Sequence, residues 1–289
     1  MEKECTLYKT LKQKGKVQCL ACAHKCVIYK DKTGICGVRK NIHGKLYLLV
    51  YDKIAAVHVD PIEKKPLYDF LPGTKSFSIG TFGCNFKCDF CQNYDISQFR
   101  EGYGKILGQS ISPEEIVDKA IETKCQSISY TYNEPAIFVE LVKEIAILAK
   151  KKALKNVLVT NGYFSKESFD FIKDYIDAMN IDLKSFNKEF YTKYCGAKLQ
   201  PVLDTIKRAY EAGIHIEVTN LVIPDLNDSE EELEKIARFI ASIDKKIPWH
   251  ISRYFPRYKM DKPATPIETL RKAEKIGKKY LKSVYIGNI

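Results

Sequence analysis

The stretch GCNFKCDFCQN at residues 83–93 carries Cys84, Cys88 and Cys91 in a C-x3-C-x2-C spacing. Three thiolates this close point to a metal site. Iron–sulfur clusters ordinarily take four, so three protein ligands either borrow a fourth or leave one iron open. An open position is what separates reactive from structural sites at zinc, and the argument carries to iron. On spacing alone the alternative is a zinc knuckle completed by a distant Cys or His. The apolar residues 77–79, followed by Gly80 and Thr81, place the cysteines on a loop leaving a strand.

A second group, Cys19, Cys22, Cys26 and Cys36, fills a tetrahedral shell without outside help. Structural zinc is the preferred occupant, and a second iron–sulfur cluster is equally admissible chemically. His24 reads as a neighbour rather than a ligand. Cys125 and Cys195 stand alone and read as buried free thiols.

The 289 residues suffice for one large α/β domain with a small appendage or for two ordinary domains. Clustered cysteines in a chain whose N-terminus lacks an apolar signal region fit a reducing compartment, so a cytoplasmic location is expected. Residues 136–149, the most apolar stretch, are broken by Glu140, Lys143 and Glu144, so no membrane span is expected. The net charge of +11 is carried by lysines interleaved with acids. That pattern describes a solvated surface and gives no reason to expect a nucleic-acid partner.

From residue 76 onward, strand-like runs at 77–81, 127–131, 156–160, 178–183, 215–223, 249–253 and 284–286 alternate with helical patterns at 113–123, 136–151, 165–174, 201–212, 229–242 and 267–279. Ser112 before Pro113 and Glu115, and Asp228-Ser229 before Glu231, are helix-start signals. Strict alternation of this kind predicts a parallel sheet covered by helices. Upstream, the runs 45–51 and 54–60 flank Asp52-Lys53 and predict a hairpin. With the four cysteines they form an expected N-terminal subdomain, 1–72, ahead of a core domain, 73–289. Pro61, Pro66 and Pro72-Gly73 mark the passage between them.

Chemistry in parallel barrels collects at the C-terminal ends of strands. Those ends carry Asn133 and Glu134, Asn161, Asp182 and Lys184, Thr219 and Asn220, and His250 with Ser252. Asp182 and Lys184 share a strand face, since successive residues alternate.

The cysteine loop, with aromatic Phe90 before its last cysteine, resembles that of the radical S-adenosylmethionine (radical SAM) superfamily. The longer segment DPIEKKPLYDFLPGTKSFSIGTFGCNFKCDFCQN, residues 60–93, is similar to the radical SAM enzyme of the AmmeMemoRadiSam system, itself related to pyruvate formate-lyase activating enzymes. The resemblance implies an α/β fold, a partial (βα)6 TIM-like barrel with a small cysteine-rich, β-hairpin subdomain at the N-terminus. It implies a [4Fe–4S] cluster on Cys84, Cys88 and Cys91 that binds S-adenosylmethionine and cleaves it reductively to a hydrogen-abstracting 5′-deoxyadenosyl radical. An electron donor such as ferredoxin or flavodoxin follows, with an unknown protein or small molecule as substrate. Phe90, Asn133, Glu134, Asn161, Asp182 and Lys184 become candidate cofactor-binding residues, and Asp182, Lys184 and His250 candidate catalytic ones. Where relatives carry Gly-Gly-Glu-Pro, this chain has Tyr132-Asn133-Glu134-Pro135. The competing reading is a zinc-stabilised binding or scaffold protein, colourless where a radical enzyme would be brown and oxygen-sensitive.

Overall fold

The computed structural model describes residues 2–12, 15–98 and 108–289. Its main sheet has eight strands. β1 (Ala56–Pro61) lies antiparallel at one edge against β2 (Lys75–Gly80). Then β3 (Ser127–Tyr130), β4 (Lys155–Thr160), β5 (Ala178–Asp182), β6 (His215–Val222), β7 (Trp249–Arg253) and β8 (Val284–Gly287) follow in sequence order, each parallel to the last. The major helices are α1 (Pro113–Glu122), α2 (Val139–Lys151), α3 (Lys166–Ile172), α4 (Gln200–Glu211), α5 (Glu230–Ile243) and α6 (Ile267–Gly277). Sequence order equals spatial order because each helix returns the chain to the neighbouring position, the simplest connection for parallel strands. β1 and β8 are the outer strands, so the barrel is open. Ser112 caps α1 in a complete capping box, donating its N–H to Glu115 Oε2 at 2.7 Å and accepting from Glu115 N at 3.2 Å. No helix among the described residues is long and apolar enough to cross a membrane.

The expected hairpin about Asp52-Lys53 is not formed. The run 45–51 supplies Lys45–Leu48, which pairs with Arg39–Ile42 and with Lys3–Glu4. The run 54–60 supplies β1, which belongs to the main sheet. The actual two-residue turn is His43-Gly44, with φ of 50° and 86°. Two positive φ values suit the right-handed twist of a hairpin, and glycine at the second makes them accessible. A second small sheet joins Tyr8–Thr10, Val17–Cys19 and Val27–Ile28. One buried apolar core runs continuously from these sheets into the barrel. Arg39 and Glu140, both buried, form an ion pair across this junction, and Arg39 Nε also donates to the Ile137 carbonyl at 2.7 Å. A pair this buried needs its remaining hydrogen bonds met. The amides of Thr6 and Leu7 supply them to Glu140.

The proline-marked passage after β1 also differs from expectation, for it is the floor of the barrel. Residues Ile62, Leu67 and Phe70 pack with Val157 of β4 and Ala178 of β5 in a separate apolar cluster. Asn180 donates to the Pro66 carbonyl at 2.7 Å. Glu217, fully buried on β6, accepts from the amides of Tyr68 and Asp69 at 3.0 and 2.9 Å. It also takes Nε2–H from His215 at 3.0 Å and from His250 at 2.6 Å. Burial alone would raise the Glu217 carboxyl, but these donors outweigh it and hold its pKa at about 2. A depressed carboxylate contributes stability above its unfolded value that is lost as pH falls toward the folded one. Glu217→Gln therefore costs about 3 kcal/mol at neutral pH, a penalty that shrinks between pH 4.5 and 2, as denaturant titrations across that range will measure.

Candidate active site

A cavity of about 240 Å³ opens at the C-terminal ends of the strands. Cys84, Cys88 and Cys91 line it together with Asn161, Asp182 and Lys184, and Asn161 Nδ2 lies 3.9 Å from Cys84 Sγ. Sequence reasoning placed these residues together, and the fold does so because the β2 loop bends over the ends of β4 and β5. Among the described residues no three metal-ligating groups already converge on a common point. Cys91 Sγ lies 2.9 Å from Ser97 Oγ. Cys195 is a buried free thiol, as expected, and it is the electrostatic neighbour of Cys88. That placement follows from the backbone, where the amides of Lys87 and Asp89 donate to the carbonyls of Cys195 and Tyr194 at 2.8 and 3.1 Å. Cys195 ends a π-helical turn, a feature frequent at functional sites.

The interaction of the Cys88 S–H with Cys195, and then burial, push the Cys88 thiol up; burial, and then Glu134, raise Cys84. Thiols in such a setting ionise when a cation binds them, as a thiol-bound metal requires. Lys184 is the compensating charge. Burial disfavours its ammonium, but Asp182, 3.0 Å away, and Cys88 outweigh burial and hold it protonated. Its ammonium also sits 5.9 Å from the Phe90 ring centroid.

Asn133 and Glu134 act on the wall of the cavity. Asn133 Oδ1 accepts from Thr81 N at 3.2 Å, and Nδ2 donates to Thr81 Oγ1 and the Gly83 carbonyl, both at 2.9 Å. Its amide thus ties the cysteine loop to the end of β3. The fully buried Glu134 carboxylate receives Ala136 N at 3.0 Å, Thr160 Oγ1 at 2.7 Å and Asn161 N at 2.8 Å. Burial raises its pKa to about 7 against these donors. It does not line the cavity and reaches it through Asn161. His250 does not line the cavity. Thr219 pairs in register with His250 and Leu221 with Ser252. Ser252 lines the cavity, while His250, one layer lower, is buried between Glu217 and the rings of Tyr68 and Tyr285.

Tyr132 was not singled out as a site residue, yet it lines the cavity with φ at +70°. The left-handed region costs glycine nothing but strains a residue with a side chain. Here the side chain is anchored. Its hydroxyl donates to Asp60 at 2.8 Å, and the buried Lys65 both pairs with Asp60 at 2.7 Å and lies 4.8 Å from the tyrosine ring centroid. Burial would raise Asp60, but Lys65 and Tyr132 outweigh it and bring its pKa to about 2. The Asp60-to-Lys65 spacing within the DPIEKK words was the available signal. Removing one partner of a buried pair leaves the other uncompensated. Lys65→Met is expected to cost about 3 kcal/mol in urea unfolding, where a change below about 1 kcal/mol would assign the pair no structural weight.

The second cysteine group also gathers. Cys19, Cys22, Cys26 and Cys36 line one small cavity with His24, Arg39 and Asn85. His24 Nε2 is 2.9 Å from the Asn85 carbonyl, so it neighbours the group as expected.

The open parallel barrel with three cysteines on the first βα loop defines a class. The Radical SAM superfamily model matches residues 78–240, more than half the chain, and the protein belongs to that superfamily. Within it the chain is an enzyme related to the pyruvate formate-lyase activating enzymes. It is 23% identical over 217 residues to the pyruvate formate-lyase-activating enzyme of Clostridium pasteurianum, covering 70% of this chain and 88% of that one. An uncharacterized protein of Methanocaldococcus jannaschii is 43% identical over 290 residues, 99% of this chain and 85% of that one. In fold, a radical SAM methyltransferase from Sphaerobacter thermophilus aligns at TM-score 0.57 and 12% identity, over 99% of this chain and 76% of that one. Streptococcus suis SuiB bound to S-adenosylmethionine aligns at TM-score 0.57 and 15% identity, over 72% of this chain and 49% of that one.

Proposed function

We propose that Cys84, Cys88 and Cys91 hold a [4Fe–4S] cluster with one open iron, at which S-adenosylmethionine binds in the cavity above β4 and β5. The observation that carries this reading is the cavity itself, which three cysteines and the Asp182–Lys184 pair line together. The donor set fits, since three soft thiol ligands beside a paired cation suit an iron–sulfur cluster better than a hard metal. When bound, the cluster and S-adenosylmethionine supply the reductive chemistry that generates a 5′-deoxyadenosyl radical for hydrogen abstraction. The electrons come from a donor such as a ferredoxin or flavodoxin.

The chain's own residues position and shield. Asn133 and Ser97 fix the cysteine loop, Phe90 and the barrel floor exclude water, and Asp182 with Lys184 presents one acceptor and one donor to a zwitterionic amino-acid end. Asn161, held by Glu134, borders the same space. The protein's contribution is orientation and low dielectric, while the cofactor carries the hard chemistry. The substrate is a glycine of a partner protein or a small metabolite. Cys19, Cys22, Cys26 and Cys36 hold a second metal, zinc or another iron–sulfur cluster.

Replacing Cys84, Cys88 or Cys91 by Ala is expected to abolish release of 5′-deoxyadenosine under dithionite. Continued release by any of the three reduced variants would refute the ligand assignment. Glu134→Ala should retain the cluster, read as iron and sulfide content, and weaken S-adenosylmethionine binding by roughly fivefold, since Asn161 loses its buried acceptor. An unchanged affinity would remove Glu134 from the binding architecture.

A further inference from the structure

The two cysteine groups, far apart in sequence, share a wall. Gly83, at φ +87°, lies so close under the Cys36 carbonyl that an added Cβ would come within 2.5 Å of it. Two residues on, Asn85 is fully buried and lines the four-cysteine cavity, while Cys84 lines the other. The orientation of the Asn85 amide is fixed by its neighbours. Asn161 Oδ1 accepts from Tyr163 N at 3.1 Å, so Asn161 Nδ2 must be a donor. It lies 2.8 Å from the other amide, whose atom there has to be the acceptor Oδ1. Asn85 Nδ2 is then the remaining end, and it is buried with no hydrogen-bond partner among the described residues. A buried N–H left unpaired is costly and calls for an acceptor. The cavity that Asn85 borders offers the four cysteine sulfurs, with the Arg39 cation and His24 as its other polar side chains. Neutral thiols accept hydrogen bonds weakly, whereas an anionic acceptor strengthens the bond substantially.

We propose that the Asn85 carboxamide links the two sites: Nδ2 donates to a metal-bound sulfur of the Cys19, Cys22, Cys26 and Cys36 set, and Oδ1 holds Asn161 against the S-adenosylmethionine pocket. Metal loading at the first site thereby sets cofactor affinity at the second. This rests on the reading that both cysteine groups bind metal. Asn161 is the receiving end of the link, and its backbone amide is tied in turn to Glu134 Oε2 at 2.8 Å. Asn85 is a positioning residue and touches neither substrate nor reacting atoms.

The test is a double-mutant cycle on the full chain, reconstituted anaerobically with iron and sulfide, with zinc present in a parallel sample. Wild type, Cys26→Ser, Asn85→Leu and the double variant are compared for metal content, S-adenosylmethionine affinity and the electron paramagnetic resonance spectrum of the reduced cluster with S-adenosylmethionine. Cys26→Ser should lower metal content at the four-cysteine site and weaken S-adenosylmethionine binding about fivefold or more in the wild-type background. In the Asn85→Leu background the same change should have no further effect on affinity or spectrum. Equal effects in both backgrounds, or none in either, would overturn the link. If Cys26→Ser does not fold, Asn85→Leu decides alone: unchanged affinity and spectrum at full metal content would also overturn it. The triple variant Cys84→Ala, Cys88→Ala, Cys91→Ala separates the link from the reading beneath it. Metal retained there leaves only the link in question, and neither zinc nor iron retained there removes the four-cysteine site and the link with it.

Discussion

An open barrel must fill its own interior, and in this protein one buried carboxylate organises the filling. Glu217 sits on β6 with no exposed surface, a location that an isolated charge could not occupy. The amides of Tyr68 and Asp69 and the imidazoles of His215 and His250 saturate it. Those contacts hold the segment after β1 across the barrel floor, where Ile62, Leu67 and Phe70 complete a small apolar cluster. Tyr285 on the far edge strand donates to Asp69 at 2.8 Å, so the floor is tied to β8 as well as to β1. The cavity above is lined from the C-terminal strand ends, which is where chemistry gathers in parallel barrels.

The same segment also receives a side chain from the rim. Asp60 and Lys65 anchor Tyr132 at the rim in a backbone conformation that costs an ordinary residue roughly 1–2 kcal/mol. The anchor of Tyr132 and the floor are therefore parts of one short stretch, residues 60–70, close to the cysteine loop in sequence. The N-terminal sheets close the opposite side through the Arg39–Glu140 pair and through Gly83 beneath Cys36. A small segment that could not bury enough apolar surface by itself gains a core by sharing that of the barrel.

Much of this was legible in the chain. Alternating apolar strands and capped helices specified a parallel α/β sheet, because strand and helix periods differ and a buried parallel strand has to be apolar on both faces. The spacing of Cys84, Cys88 and Cys91 marked the site, and the period-two rule put Asp182 and Lys184 on one face. What misled were features with two local solutions. Asp52-Lys53 looked like a turn between β-rich runs, but pairing is decided by which strand edge is available, and β2 offered one to residues 56–61. His250 looked like a strand-end residue, yet its side chain is taken up by Glu217 and packed against Tyr68 and Tyr285 and does not line the cavity.

The sequence by itself determined the fold class, the two cysteine groups and the acidic–basic pair on one strand face, since each depends on residue type and short-range spacing. Tertiary structure alone decided that Glu134 grips Asn161 instead of facing the cavity, that Cys195 meets Cys88, that the DPIEKKPL stretch is a floor, and that Asn85 stands between the cysteine groups. Each of those is a contact between residues distant in the chain. Such contacts are fixed by strand register, by the satisfaction of buried polar groups and by close packing, none of which has a local period to read.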